Sequence, residues 1–548
     1  MSTIAHLKSP IDYFIEMRTY LIAFTSLLFL LAIVHRNSGA QPFSSDKKLI
    51  EPGSATNLLV IDLTKAYQTI HSFGASDCWT AKFAGNWKDE KKKNAIADLL
   101  FSTEKLADGS PKGIGLSLWR FNIGAGSAEQ GPASGIPDDY RREECFLGAD
   151  ASYNWRKQRG AQWFAGAAKK RGVKYLLAFT NSPPVRFTKN GFSYGLSDNN
   201  FNCKEDKYAA FASFLVAVCK HFNATNIPFD YISPVNEPQW KWGERPAQEG
   251  TGATNEQTAR LIKILGPKLQ AAGLTTRITA GEAARVNFLT DSNALIGNQL
   301  NDFFNPASSH YIGAVPNTAP VMSYHSYFST CPDSVLLATR SAVNEKRKQV
   351  DPRIQLWQSE FGVLGDICGN LNGGPRNTDI RYGLYVAKVI HTDLVVAGVS
   401  SFQWWLAINP YNYSDGLVYI NAPDGSIHPG KSKEDGMVSS SKQLWCMGNY
   451  SRFIRPGMQR ISAAFSGPAD CLVSAYKNVG SSELVMVVAN NSAIRQQLQL
   501  QFSPGVNSKS LDSYTTDATQ DMQHAVVSAS DVVVAPMSVT TFVTKYKK

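Results

Sequence analysis

Signatures for metal chemistry are missing. None of the eight Cys sits in a Cys-x-x-Cys pair, and no two of the nine His are spaced for His-Glu-x-x-His. Phosphate-loop and Schiff-base motifs are absent too, and the one glycine run that suggests a dinucleotide loop, Gly124-Ala-Gly-Ser-Ala-Glu129, has Glu129 where the last glycine belongs. No cofactor and no metal are expected. Basic blocks are also lacking: 55 Lys and Arg against 45 Asp and Glu give a formal charge of +10, but the excess is spread along the chain. Nucleic acid is therefore not an expected partner. A pI near 9.0 suits a neutral or acidic polymer, and solubility accounts for it equally well.

A membrane-spanning run is lacking as well. The uncharged apolar stretch Tyr20 to Val34 holds 15 residues, short of the roughly 20 that cross a bilayer as a helix. Arg18 precedes it and Ser38, Gly39 and Ala40 follow, which is a signal-peptide pattern. The expectation is an exported protein, secreted or periplasmic, with a mature start near Gln41 and no membrane association in the mature form. Met17-Arg18 would be the more ordinary start of such a signal. Eight Cys is an even count that permits disulfides in an exported chain.

What is present is a βα repeat. Strand-like runs alternate with amphipathic helical ones, and the strand runs end at Ser76, Gly124, Ser182, Glu237, Glu282, Tyr327, Glu360 and Trp405. Eight ends is the number that a closed (β/α)8 TIM barrel requires. Tyr208, Phe211, Leu215, Val218 and Phe222 recur at helical steps. Thr254 and Gln257 form a capping box ahead of a helix that Gly273 stops, with a kink expected at Gly266-Pro267. From about Arg455 the texture changes to short alternating strands. The fold class expected is α/β, a TIM barrel with a small all-β sandwich side domain. Its predicted division is a signal peptide (1–40), an N-terminal strand that crosses over to join the β-domain (41–66), the barrel (67–453) and the β-domain (454–548).

Function in such a barrel sits at the C-terminal ends of the strands. Glu237 ends the fourth strand within Ser233-Pro-Val-Asn-Glu-Pro238, beside Trp240 and Trp242, and this partly apolar setting suits a proton donor. Glu360 ends the seventh, 360 − 237 = 123 residues on, or three βα units of 41. Carboxyls from strands four and seven face each other across the mouth and can flank a glycosidic bond. Glu282, on the fifth strand, is a competing carboxylate less well placed opposite Glu237. The predicted substrate-binding set is Trp79, Arg120, Asn181, Asn236, Trp240, His325, Tyr327, Trp404 and Trp405. Within it, Arg120 is expected to orient the Glu360 carboxylate and Asn236 to reach a sugar 2-hydroxyl. The 11 Trp fit sugar stacking, although barrel packing claims most of them.

HSFGASDCW, LWRFNIGAG, SPVNEPQW, WQSEFG, SFQWW and the closing SVTTFV resemble glycoside hydrolase family 30, a clan A family of retaining β-glycosidases, over roughly residues 58 to 546. The resemblance implies that Glu237 is the acid/base and Glu360 the nucleophile, acting on a β-linked polysaccharide or oligosaccharide. FGASDCWTAKFAGNW and the loop NEPQWKWGERPAQEG are most similar to endo-β-1,6-galactanase-like members, with β-1,6-glucanase or glucuronoxylanase activity as the alternative. A non-catalytic sugar-binding barrel is a more distant alternative, which would need the aromatics but not both glutamates. From their places just after the sixth and seventh strands, Cys331 and Cys368 are expected to be bonded, with Cys145 and Cys203 a weaker pair by the same logic.

Overall fold

Eight short parallel strands carry the architecture: β2 (Ser72–Ser76), β3 (Leu118–Asn122), β4 (Tyr175–Phe179), β5 (Tyr231–Ser233), β6 (Arg277–Ala283), β7 (Thr318–His325), β8 (Gln355–Phe361) and β9 (Ser401–Asn409). They pair in chain order, and β9 bonds to both β2 and β8, which closes the barrel. The computed structural model describes residues 56–547 apart from Arg245, Gly505, Asn507 and Ser508, so the expected signal peptide lies outside the described residues. Among the described residues no helix is long and apolar enough to cross a membrane.

The predicted strand ends fall within four residues of the observed ones: Ser76 ends β2, Gly124, Ser182, Glu237 and Tyr327 lie past their strands, Glu282 and Glu360 stand one residue before the ends of β6 and β8, and Trp405 lies inside β9. Helix Tyr208–Ala224 buries the five predicted positions against the barrel wall. In helix Asn255–Ala271 the Thr254 hydroxyl accepts the Gln257 N–H and the Gln257 side chain accepts the Thr254 N–H, completing the capping box. The helix runs unbroken through Pro267. Gly266 is required there for a different reason: a Cβ would lie 2.3 Å from the Pro316 carbonyl oxygen. Where the strands begin, His71 stacks on Tyr175 at 4.0 Å and bonds the Tyr231 hydroxyl at 3.0 Å.

The strand β10 (Gly416–Asn421) extends β9 at the rim, and β11 (Met437–Ser440) pairs with it. The remaining strands, β12 (Gln459–Phe465), β13 (Cys471–Asn478), β14 (Glu483–Asn490), β15 (Gln496–Phe502), β16 (Ser510–Thr516), β17 (Gln523–Ser528), β18 (Val532–Val534) and β19 (Ser538–Lys545), form a separate sheet. The predicted crossover is present, because β1 (Thr56–Thr69) inserts between β12, antiparallel, and β15, parallel. Leu59 and Ile61 of β1, Leu498 of β15 and Val532 of β18 share one core with Met486 of β14 and Phe542 of β19. Residues from both halves of the strand order thus pack together, so the sheet folds over itself as a sandwich.

Cys331 and Cys368 are bonded, with Cα atoms 6.0 Å apart, and tie the loops after β7 and β8 together. The second expected pair is not formed: Cys145 and Cys203 are free, buried thiols. The Cys145 sulfur accepts the Leu147 N–H within its own loop, and its Cβ abuts Gly126. Burial pushes both thiols up to about 12.

Candidate active site

At the C-terminal ends of the strands, backbone conformation aims the carboxyls. Glu237 (φ +45°) and Glu282 (φ +43°) hold left-handed conformations that L-residues enter at a cost of about 1–3 kcal/mol. The Glu237 N–H donates to the Glu282 carbonyl at 3.0 Å, which links the two strand ends. The β6–β7 register is irregular on both sides of Ala280. Gly281 (φ +103°) permits this, since a Cβ there would lie 2.3 Å from the Ser323 carbonyl oxygen. The irregularity turns Glu282 into the mouth.

Arg120 is fully buried and organises the centre. Nη1 donates to Glu360 Oε2 at 2.5 Å, and Nη2 donates to Asn236 Oδ1 and to Glu282 Oε2, both at 2.8 Å. Asn236 Nδ2 in turn donates to Asn181 Oδ1 at 3.1 Å. His325 lies between carboxyls, Nδ1 at 2.8 Å from Glu237 Oε1 and Nε2 at 3.2 Å from Glu282 Oε2. The Tyr327 hydroxyl donates to Glu360 Oε1 at 3.2 Å. Carboxylate oxygens of Glu237 and Glu360 lie within 4.8 Å of each other.

Burial pushes the Glu282 carboxyl up, but the Arg120 charge and the hydrogen bonds from His325 and Ser323 outweigh it and hold the group at about 2. His325 shows the opposite balance. Burial works against its charge, while Glu360 and the hydrogen bonds to Glu237 and Glu282 raise it to about 10. Glu237 is raised above the ordinary carboxyl value, first by burial and then by the Glu360 charge, against the lowering effect of His325. Burial and the Glu360 charge thus favour the protonated form of Glu237. Glu237, His325 and Glu360 each bring a donor atom to within 4.8 Å of the others.

Seven of the predicted residues therefore converge with Glu282: Glu237, Glu360, Arg120, Asn181, Asn236, His325 and Tyr327. The Trp residues divide. Trp79 and Trp405 meet at right angles with centroids 5.1 Å apart beside the Glu360 strand end. Trp404 is wholly buried, its indole N–H on the Asp415 carbonyl at 2.7 Å and its ring against Phe361. Trp240 carries the Arg285 guanidinium over its ring at 5.1 Å. Trp242, outside the predicted set, donates to the Glu237 carbonyl at 3.2 Å. Two more mouth residues escaped the sequence reading. Asp77 accepts the Asn122 N–H at 2.9 Å, and its second carboxylate oxygen is buried without a partner. Asn122 Nδ2 is likewise buried and unpartnered. Their positions, one residue past Ser76 and two before Gly124, were the available signal.

The profile described as O-Glycosyl hydrolase family 30 matches residues 56–419. The chain is 23% identical to an endo-beta-1,6-galactanase of Hypocrea rufa, over 80% of this chain and 81% of that protein. It is also 23% identical to the glucuronoxylanase XynC of Bacillus subtilis, over 64% and 67%. Among solved structures, a conserved exported protein from Bacteroides fragilis is 31% identical, with a TM-score of 0.83, over 89% of this chain and all of that one (100%).

Proposed function

Because this chain belongs to O-glycosyl hydrolase family 30 and is a glycoside hydrolase, we propose that it is a retaining endo-β-1,6-galactanase with Glu237 as acid/base and Glu360 as nucleophile. The observation that carries the mechanism is the approach of the two carboxyls to within 4.8 Å. Retaining pairs stand about 5–5.5 Å apart, whereas an inverting pair needs about 6.5–9.5 Å to admit water between.

In the first half-reaction a Glu360 oxygen bonds to the anomeric carbon as the glycosidic bond breaks, and Glu237 gives its proton to the departing sugar oxygen. Arg120 and Tyr327 hold the Glu360 carboxylate in position through 2.5 and 3.2 Å bonds. In the second, Glu237 takes a proton from water, the water oxygen bonds to the anomeric carbon, and Glu360 leaves as carboxylate. The fixed donors meet charge where it develops, without reorganising.

His325 sets when Glu237 holds its proton. Its hydrogen bond and charge oppose the raising effect of burial, so His325→Phe is expected to raise the Glu237 pKa further. The basic limb of kcat/KM, where the acid is lost, then moves to higher pH. A limb that stays in place or moves to lower pH contradicts this role.

The galactan assignment rests on the Hypocrea rufa relative and on the loop that follows Glu237, whose Trp242 is tied to the Glu237 carbonyl. De-arabinosylated arabinogalactan should be cleaved internally, giving mixed oligosaccharides, faster than pustulan or glucuronoxylan. Good activity on either of those without cleavage of galactan moves the enzyme to another branch of the family. Polysaccharide or oligosaccharide is the partner proposed. Export with removal of residues 1–40 completes the reading, supported by the likeness to an exported protein. In the same division, residues 41–66 and 454–548 form the β-domain and 67–453 the catalytic barrel.

A further inference from the structure

An ion pair that lies outside the mouth grips the end of β7 from the helix layer. Arg340, on helix Asp333–Val350, and Asp393, first in the π-helical turn Asp393–Ala397, are both wholly buried. Arg340 Nε donates to Asp393 Oδ1 at 2.8 Å. The Tyr324 hydroxyl donates to the same oxygen at 2.8 Å, and the Ser326 hydroxyl donates to Oδ2 at 3.0 Å. Arg340 Nη1 also donates to the Ser329 carbonyl at 2.8 Å, and the Ser329 hydroxyl donates to the Ser326 carbonyl at 2.9 Å.

His325 stands between the two gripped residues. Tyr324 and Ser326 run to Asp393, whereas His325 faces the three carboxyls of the mouth, Glu237 Oε1 at 2.8 Å, Glu282 Oε2 at 3.2 Å and Glu360 Oε1 at 3.6 Å. The strand ladder is interrupted at this point: the β7–β8 pairing shifts between Tyr324, opposite Gln358, and His325, opposite Glu360. An irregularity of this kind re-aims a side chain and leaves its direction to other contacts. Here those contacts are the two hydroxyl bonds to Asp393. Stability alone does not call for the pair, since apolar residues of similar volume often hold helices as well as a buried ion pair does. Apolar residues would offer nothing to the Tyr324 and Ser326 hydroxyls, which would then be buried unpaired.

We propose that Asp393, held by Arg340, is a positioning residue that fixes Tyr324 and Ser326 and so keeps the His325 imidazole at hydrogen-bond distance from Glu237. This role rests on Glu237 as acid/base, and it carries the machinery of proton transfer one layer out from the residues that meet substrate. His325 needs the restraint because it divides its two nitrogens between Glu237 and Glu282, and a displacement of about 1 Å is enough to cost a catalytic geometry about 100-fold.

Asp393→Asn strips a buried guanidinium of its counter-charge and puts folding itself at risk. The test therefore uses Tyr324→Phe with Ser326→Ala, which keeps the ion pair and removes its two bonds to β7. Nitrogen-15 NMR of the free enzyme, with His325 assigned by its loss in His325→Phe, reads the imidazole directly. Its ring signals are expected to move and its pKa to fall from about 10, while His221, on helix Tyr208–Ala224, and His524, in the β-domain, stay as they are. On polysaccharide kcat should fall about 10- to 100-fold. The basic limb of kcat/KM should move to higher pH, as expected for His325→Phe, with no further movement when all three changes are combined. Unmoved His325 signals overturn the role, as do changes that extend to His221 and His524 or a limb shift of undiminished size in the His325→Phe background. If the His325 signals alone move while the limb stays in place, in His325→Phe as well, Asp393 keeps its role and Glu237 loses the acid/base assignment.

Discussion

Glu360→Gln is expected to lower kcat on the order of 10⁵-fold, the scale seen when an enzyme's nucleophile is removed. Glutamine keeps the volume and still offers Arg120 an acceptor in place of the carboxylate oxygen now bonded at 2.5 Å, so the loss is one of chemistry rather than of fold. An amide oxygen does not form a glycosyl ester that water then releases. Unchanged thermal unfolding beside the lost rate separates the two causes. Residual kcat within tenfold of the parent would mean that Glu360 is not the nucleophile.

Glu237→Ala is expected to behave differently with different leaving groups. Polysaccharide, whose departing oxygen must be protonated, should be cleaved about 10²- to 10⁴-fold more slowly. Aryl glycosides with acidic phenols need little protonation, so their first step should persist while the second stalls for want of a base. A burst of phenol followed by a slow steady state is the signature. Added azide needs no base and should restore turnover as the β-glycosyl azide. Equal losses on both substrates with no azide rescue would remove Glu237 from the acid/base role.

The sequence exposed what period and strand-end chemistry govern. Alternation of strand and helix located eight strands, the apolar run Leu58 to Leu63 announced a strand without its own helix, and the 123-residue spacing set Glu237 and Glu360 on facing strands. Harder to read was what depends on a single backbone turn. RITAGE marks Glu282 as one more strand end, but its entry into the Arg120 network depends on the irregular pairing around Gly281. Trp405, beside Trp79, and the wholly buried Trp404 part where the β2–β9 register shifts, a break that the sequence does not mark. The Cys145–Cys203 pairing failed for a related reason. Loop order alone does not fix which cysteines meet, and the Cys145 sulfur instead accepts the Leu147 N–H. In the β-domain, Gln459–Phe465, Ser510–Thr516 and Gln523–Ser528 are strands that the sequence did not single out. They mix polar and apolar residues, and β17 lies at the edge of the sheet with four of its six positions exposed.

Proton NMR of the first-formed product, recorded before mutarotation, tests the double displacement through Glu360 most directly. Two inversions at the anomeric carbon of a β-linked chain release the β-anomer first, as expected for carboxyls within 4.8 Å. An α-anomer appearing first would contradict the retaining assignment and with it the covalent Glu360 intermediate.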